Sequence, residues 1–235
     1  MSLFLRSRTL LTQAAAPSGA VEIFVGDAFT DSDNTGQTVT HAGAKVKQTL
    51  DNRDVLVQFS YKGGATVVVT GITVNGVACT LRQQSSGGTA GHDIWNVRLT
   101  GAVGATADVV ITYTGTAPTE VIVTTTIVEG AASITPFDEQ YTSGTNSGDT
   151  ITTVSVEDNG AIWGGMHSLS GSVNDEHAWT VGLTELTQQY SVLSTLGCRA
   201  SNASADFVSA ATPTITYTLE GSLWHRSWIA SWSPA

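Results

Sequence analysis

Lysine is almost missing from this chain: Lys45, Lys47 and Lys62 are the whole complement, and all cations together number 10 against 20 Asp and Glu, a formal charge of −10. Such a balance repels phosphate backbones and anionic headgroups, so neither nucleic-acid binding nor membrane adhesion is expected. Charged residues make up only 13 % of the sequence, about half the usual quarter. That excludes a disordered acidic tail and a coiled coil, both of which are charge-rich. No apolar run approaches the roughly 18 residues that a membrane-spanning helix needs. Cysteine is scarce as well. Cys79 and Cys198 stand far apart, each in an apolar, strand-like context. They read as two buried thiols, with a single disulfide as the alternative, and no CxxC spacing offers a zinc site. The G-x-S-x-G, H-E-x-x-H and Walker signatures are absent, so neither a catalytic residue nor a cofactor is expected.

Strands are what the sequence does contain. β-branched and aromatic residues recur in short runs broken by Gly, Asn, Asp and Ser. The clearest are 54–61, 66–70, 94–99, 108–113, 120–128, 150–156 and 161–163, followed by 178–181, 190–194, 212–217 and 224–232. Val55, Val57 and Phe59 share one face of a period-2 pattern that Leu56 interrupts. Trp224, Arg226, Trp228, Ala230 and Trp232 share a face opposite His225, Ser227, Ile229 and Ser231, and Trp at this spacing points to core. Asn75-Gly76 between apolar neighbours is a hairpin turn, and Glu157-Asp158-Asn159-Gly160 is a second tight turn. No body segment keeps helical spacing for three turns. The expectation is an all-β fold: a single large jelly-roll-like antiparallel β-sandwich over residues 21–235, with strands of both halves pairing, preceded by an extended N-terminal arm at 1–20.

The arm carries Leu3, Phe4, Leu5, Arg6, Arg8, Leu10 and Leu11. Its apolar residues are split by the arginines, so it is not expected to be a secretory signal. Those seven residues are the expected partner-binding set, the apolar ones burying against a neighbour and the arginines pairing with its acidic groups.

Other chemistry is thin. His41, His92, His167, His177 and His225 form no metal-ligand spacing, and Asp175-Glu176-His177 reads as a solvated loop because adjacent residues point apart. Asp31, Asp33 and Gly36 resemble the start of a calcium loop, but its twelfth position is Ala42, so a turn is expected and no metal. Trp95, Trp163, Trp179 and Tyr141, with Asp138 and Glu139 nearby, are candidates for a glycan platform. Asp138, Glu139 and Glu157 are the carboxylates that a glycosidase reading would need to converge.

The order of the runs DVLVQFSYKGG, VTGITVNGVACTL, HDIWNVRLTG, ADVVITYTG, EVIVTTTIVEGA and SWIASWSPA resembles a diffuse set of tailed-bacteriophage virion proteins over residues 20–235. Those are jelly-roll or immunoglobulin-like sandwiches serving as capsid decoration, head-spike or tail-associated subunits. The resemblance implies a non-enzymatic virion structural protein, a capsid decoration, cement or head-spike subunit. Its partners would be the major capsid protein or neighbouring head and tail subunits, and further copies of itself. Its place would be the virion, assembled in the host cytoplasm. The alternative is a carbohydrate-binding or host-receptor-binding module of a tail or fibre.

Overall fold

The computed structural model describes residues 19–31, 36–47, 49–63, 66–84, 90–101, 104–144, 148–151, 153–170, 177–181, 183–191, 197–219 and 222–235. Among them there is no helix, and every strand ladder is antiparallel. The first half of the chain supplies β1 (Glu22–Asp31), β2 (Thr38–Lys45), β3 (Arg53–Lys62), β4 (Val68–Val74), β5 (Val77–Ala78), β6 (Thr80–Gln83), β7 (Ala90–Leu99), β8 (Thr106–Thr114) and β9 (Glu120–Glu129). The second half supplies β10 (Asp138–Gly144), β11 (Gly148–Ile151), β12 (Ala161–Ser170), β13 (His177–Val181), β14 (Thr184–Ser191), β15 (Gly197–Asp206), β16 (Ile215–Leu219) and β17 (Ser222–Trp232).

The first half pairs as a nested hairpin: β1 with β9, β2 with β8, β3 with β7, and β4 with β5. Wrapping that hairpin gives one sheet of order β1-β9-β3-β7-β6 and a second of order β2-β8-β4-β5, which is jelly-roll topology. The second half repeats it. β10 pairs with β17, β11 with β16 and β12 with β15, giving sheets of order β10-β17-β12-β15-β14 and β11-β16-β13. The all-β, antiparallel sandwich expectation is met. The expected pairing of strands across the halves is not, because every ladder joins strands within 22–129 or within 138–232.

The halves meet instead face to face. Val55, Val57, Phe59, Tyr61, Val109, Ile111 and Tyr113 fill the first roll, and Ile162, Met166, Ala203, Tyr217 and Ile229 fill the second. A third cluster belongs to neither: Ile23, Leu56, Ile94 and Val128 from the first large sheet, with Val21 just before β1, pack on Ala161, Trp163, Trp228, Ala230 and Trp232 from the second. β1 touches β12, β15 and β14 of that sheet, so the strands of the two sheets cross. This seam explains the uneven patterning. β8, with one face in water, alternates cleanly between buried and exposed, whereas β9 is buried at every position. Leu56, which breaks the alternation of β3, faces the seam.

Turn chemistry follows the sequence. Asn75 and Gly76 join β4 to β5 with φ of 51° and 76°, the doubly left-handed geometry of a two-residue hairpin. Gly91 answers a different need. It lies directly across from Tyr61, and a Cβ there would sit 2.1 Å from the tyrosine ring. Tyr61 is fully buried, with its hydroxyl donating to the Val67 carbonyl at 3.2 Å, so the ring has nowhere to swing. Alanine at position 91 is expected to destabilise the protein by about 1–3 kcal/mol. An unchanged urea midpoint for G91A would contradict this packing.

Candidate functional site

The segment between β9 and β10 is short, and the first roll holds it by its carbonyls. Arg98 on β7 makes a two-pronged contact with Asp54, 2.7 and 2.9 Å, and donates to the carbonyls of Ala132 and Ala131 at 3.1 and 2.9 Å. Arg82 and Asn96 both donate to the Ile134 carbonyl, at 3.2 and 2.8 Å. Burial raises the pKa of Asp54 from its ordinary value, and the Arg98 fork opposes that shift. The same hydrogen bond holds the Arg98 guanidinium above its usual value. Arg53 is committed as well, donating to the Val46 and Asp51 carbonyls at 2.7 and 2.6 Å.

Two shallow depressions flank this segment and share Ala132. One, about 350 Å³, lies against Ser133, Pro136 and Phe137; the other, about 290 Å³, against Leu50, Arg53 and Arg98. Phe137 is 50 % exposed and Leu50 48 %. The arginines here are spent on backbone and carboxylate, so the face presents apolar rims with pinned charge.

The chemistry-bearing residues named from the sequence are dispersed. Asp138 accepts from the Ser155 amide at 2.8 Å, and Glu139 accepts from the Trp228 indole at 3.0 Å, so the two carboxylates face opposite ways from β10. Glu157 is exposed beside Asp158 in the turn before β12. Of the proposed glycan platform, Trp95 and Trp163 are buried, Trp179 packs against the second core, and Tyr141 alone is exposed. The buried rings contradict the platform reading of Trp95 and Trp163, because the seam and the first core need their area more than the surface does. His177 opens the strand β13 and is itself buried, which corrects the solvated-loop reading for that residue. Its two ring nitrogens lie 2.6 Å from Ser168 Oγ and 2.9 Å from Ser201 Oγ. With a hydroxyl on each side it is saturated, and burial, then Arg199, pushes its pKa well down. His41 rests on Phe29 and lies 3.5 Å from Asp27.

Both cysteines are free thiols. Cys79 is half-buried against the first core, and Cys198 is fully buried beside Ile122 and Ala200 at the seam. Burial raises the Cys79 thiol to about 12, so neither behaves as a nucleophile. Among the described residues no group of three or more metal-ligating side chains comes together. Asp31 ends β1 opposite Val121, whereas Asp33 lies outside the described residues. Leu3, Phe4, Leu5, Arg6, Arg8, Leu10 and Leu11, along with Asp175 and Glu176, also lie outside them.

Sequence reasoning missed the polar seam between the large sheets. Gln58 Nε2 donates to the Met166 carbonyl at 3.0 Å; Asn202 Nδ2 donates to Gln58 Oε1 at 3.1 Å and to Thr124 Oγ1 at 2.9 Å; the Trp163 indole donates to Thr126 Oγ1 at 3.1 Å. The only trace in the sequence is polar residues inside otherwise apolar strands, Gln58 in β3 and Thr124-Thr125-Thr126 in β9. The fold therefore defines a class, a tandem jelly-roll β-sandwich protein. No family model, curated protein or solved structure matches the chain.

Proposed function

We propose that this chain is a non-enzymatic structural subunit of a virion, of the capsid decoration, cement or head-spike kind, that docks through residues 1–20. The observation that carries the reading is the seam. Two rolls fused through a buried face make a stiff body, and among the described residues the titratable groups serve that body rather than a cleft. The surface features that remain, shallow apolar depressions at the inter-roll segment, fit subunit contact. The partners would be a major capsid protein or neighbouring head or tail subunits, together with further copies of this chain.

The arm is the adhesive in this reading. Leu3, Phe4, Leu5, Leu10 and Leu11 each contribute about 1.5–3 kcal/mol when buried on a partner, so two of them account for about a hundredfold to ten-thousandfold in affinity. Deleting Met1–Pro17 leaves β1 and its anchorage intact, since the Val21 amide donates to the Asn159 carbonyl at 2.9 Å. The truncated protein is expected to keep its far-ultraviolet circular dichroism and lose binding to particles in co-sedimentation. Undiminished binding by the truncation overturns the proposal.

A further inference from the structure

Two histidines meet across the seam. His92 on β7 and His167 on β12 stack with ring centroids 5.9 Å apart and planes 24° from parallel, and both are fully buried. The Trp224 ring stands edge-on to His167 at 5.4 Å, and Cys198 Sγ lies 3.5 Å from His167 Nδ1. Among the described residues, both ring nitrogens of His92 and Nε2 of His167 have no hydrogen-bond partner. Unpaired buried polar atoms are costly, and a protein that needed only volume here would be better served by phenylalanine.

The surroundings disfavour positive charge. β17 sets Arg226 opposite His167, with its guanidinium 4.6 Å from the centre of the Trp224 ring. β3 sets Ser60 opposite His92, and its Lys62 is ion-paired to Glu120 of β9 at 3.1 Å. Asp93 lies on the other face of β7, and Arg199, His177 and His225 lie on the inner face of the second roll. A proton on either stacked ring thus meets Arg226 and the other histidine, and on His92 also the charge of His177, while Glu120 is already paired with Lys62. Burial first, then His167 and Arg226, pushes His92 well below its ordinary value. Burial, then Arg226, pushes His167 to about 3, against a hydrogen bond with the Arg199 backbone that favours the charged ring.

We infer that the His92–His167 pair is an acid-sensitive latch between the two jelly rolls, closing the seam while neutral and parting the large sheets when protonated. Separation breaks no strand ladder, because none crosses the seam, and each roll keeps its own core. The sign follows from linkage. In the parted form the histidines titrate near the ordinary value of about 6.5, whereas in the closed form both are held well below it. The seam therefore has its full strength above about pH 6.5. Below that the opening constant rises about tenfold per pH unit for each histidine, about a hundredfold for the pair.

The test is a titration of the full chain from neutral to mildly acidic pH. Tryptophan fluorescence reports the seam, small-angle scattering the radius of gyration, and far-ultraviolet circular dichroism the strands. The expected result is a fluorescence change and a larger radius with the strand signal retained, at a slope near a hundredfold per pH unit. In H92F, which keeps a flat ring, and in H92Q, which keeps polarity, the slope is expected to fall to about tenfold and the transition to move to lower pH. An unchanged radius, a strand signal lost in step with the fluorescence, or a slope that both variants leave untouched overturns the latch. Should neither variant fold, a wild-type slope of about tenfold or less overturns it alone.

Discussion

Alanine at position 163 is expected to lower the stability of the protein by about 3–5 kcal/mol, more than most single changes here. Trp163 is fully buried in the seam, tilted against Trp228 at 5.6 Å, and its indole reaches the Thr126 hydroxyl across the interface. Its ring also lies over Gly165, where a Cβ would stand 2.3 Å away. Truncation empties the volume of an indole between two sheets that are held elsewhere, so the gap closes only in part. It also leaves Thr126 without this donor. Trp163→Phe keeps most of the ring and loses the hydrogen bond, so it should cost about 1–2 kcal/mol. Urea denaturation of both variants measures the difference. A Trp163→Ala midpoint close to wild type would mean that the seam is not closed in solution.

Glu120→Gln is expected to cost about 3 kcal/mol. The Glu120 side chain is 1 % exposed and that of Lys62 14 %, and their contact of 3.1 Å joins β9 to β3 beside the seam. Removing the carboxylate charge leaves an ammonium in a place that water scarcely reaches, and that uncompensated charge is the main cost. A double change, Lys62→Met with Glu120→Leu, removes both charges and should restore most of the loss. Thermal denaturation of the single and double variants separates the cases. A double variant no better than the single would show that the pair acts through its shape rather than its charge.

The strands were legible where their residues were large. Runs such as 54–61 and 120–128 carry β-branched and aromatic side chains, and each became a strand in the expected place. The strands that escaped notice are built from small or polar residues. β2, β10 and β15 read Thr-Val-Thr-His-Ala-Gly-Ala-Lys, Asp-Glu-Gln-Tyr-Thr-Ser-Gly and Gly-Cys-Arg-Ala-Ser-Asn-Ala-Ser-Ala-Asp. Without them each half is too poor in strands to close a roll, which is why the sequence suggests pairing across the halves. β15 is small for a reason: Ala200 lies against Ile122, where sheet meets sheet. The repeat itself left no mark, because Arg53–Lys62 and Ala161–Ser170 occupy the same position in their rolls and share almost no residues in common. Leu56 and the unbroken β-branched run 121–128 are the sequence's hints of a second covered face. The histidine pair had none, since only the stacking of sheets brings position 92 to position 167. The seven arm residues fall outside the described structure, so their role rests on the sequence alone.

In both rolls the last strand made is slotted between the first and the third: β9 between β1 and β3, β17 between β10 and β12. A nascent chain therefore cannot finish its first roll until Glu129 has left the ribosome, nor its second until Trp232 has. Until then the edges of β1 and β3, or of β10 and β12, that the last strand pairs have no partner from within their roll. Any other extended polypeptide of the right length is a competitor for those edges during synthesis. The hazard comes twice in each translation, and slow codons or a chaperone would matter most just before residues 120–129 and 222–232.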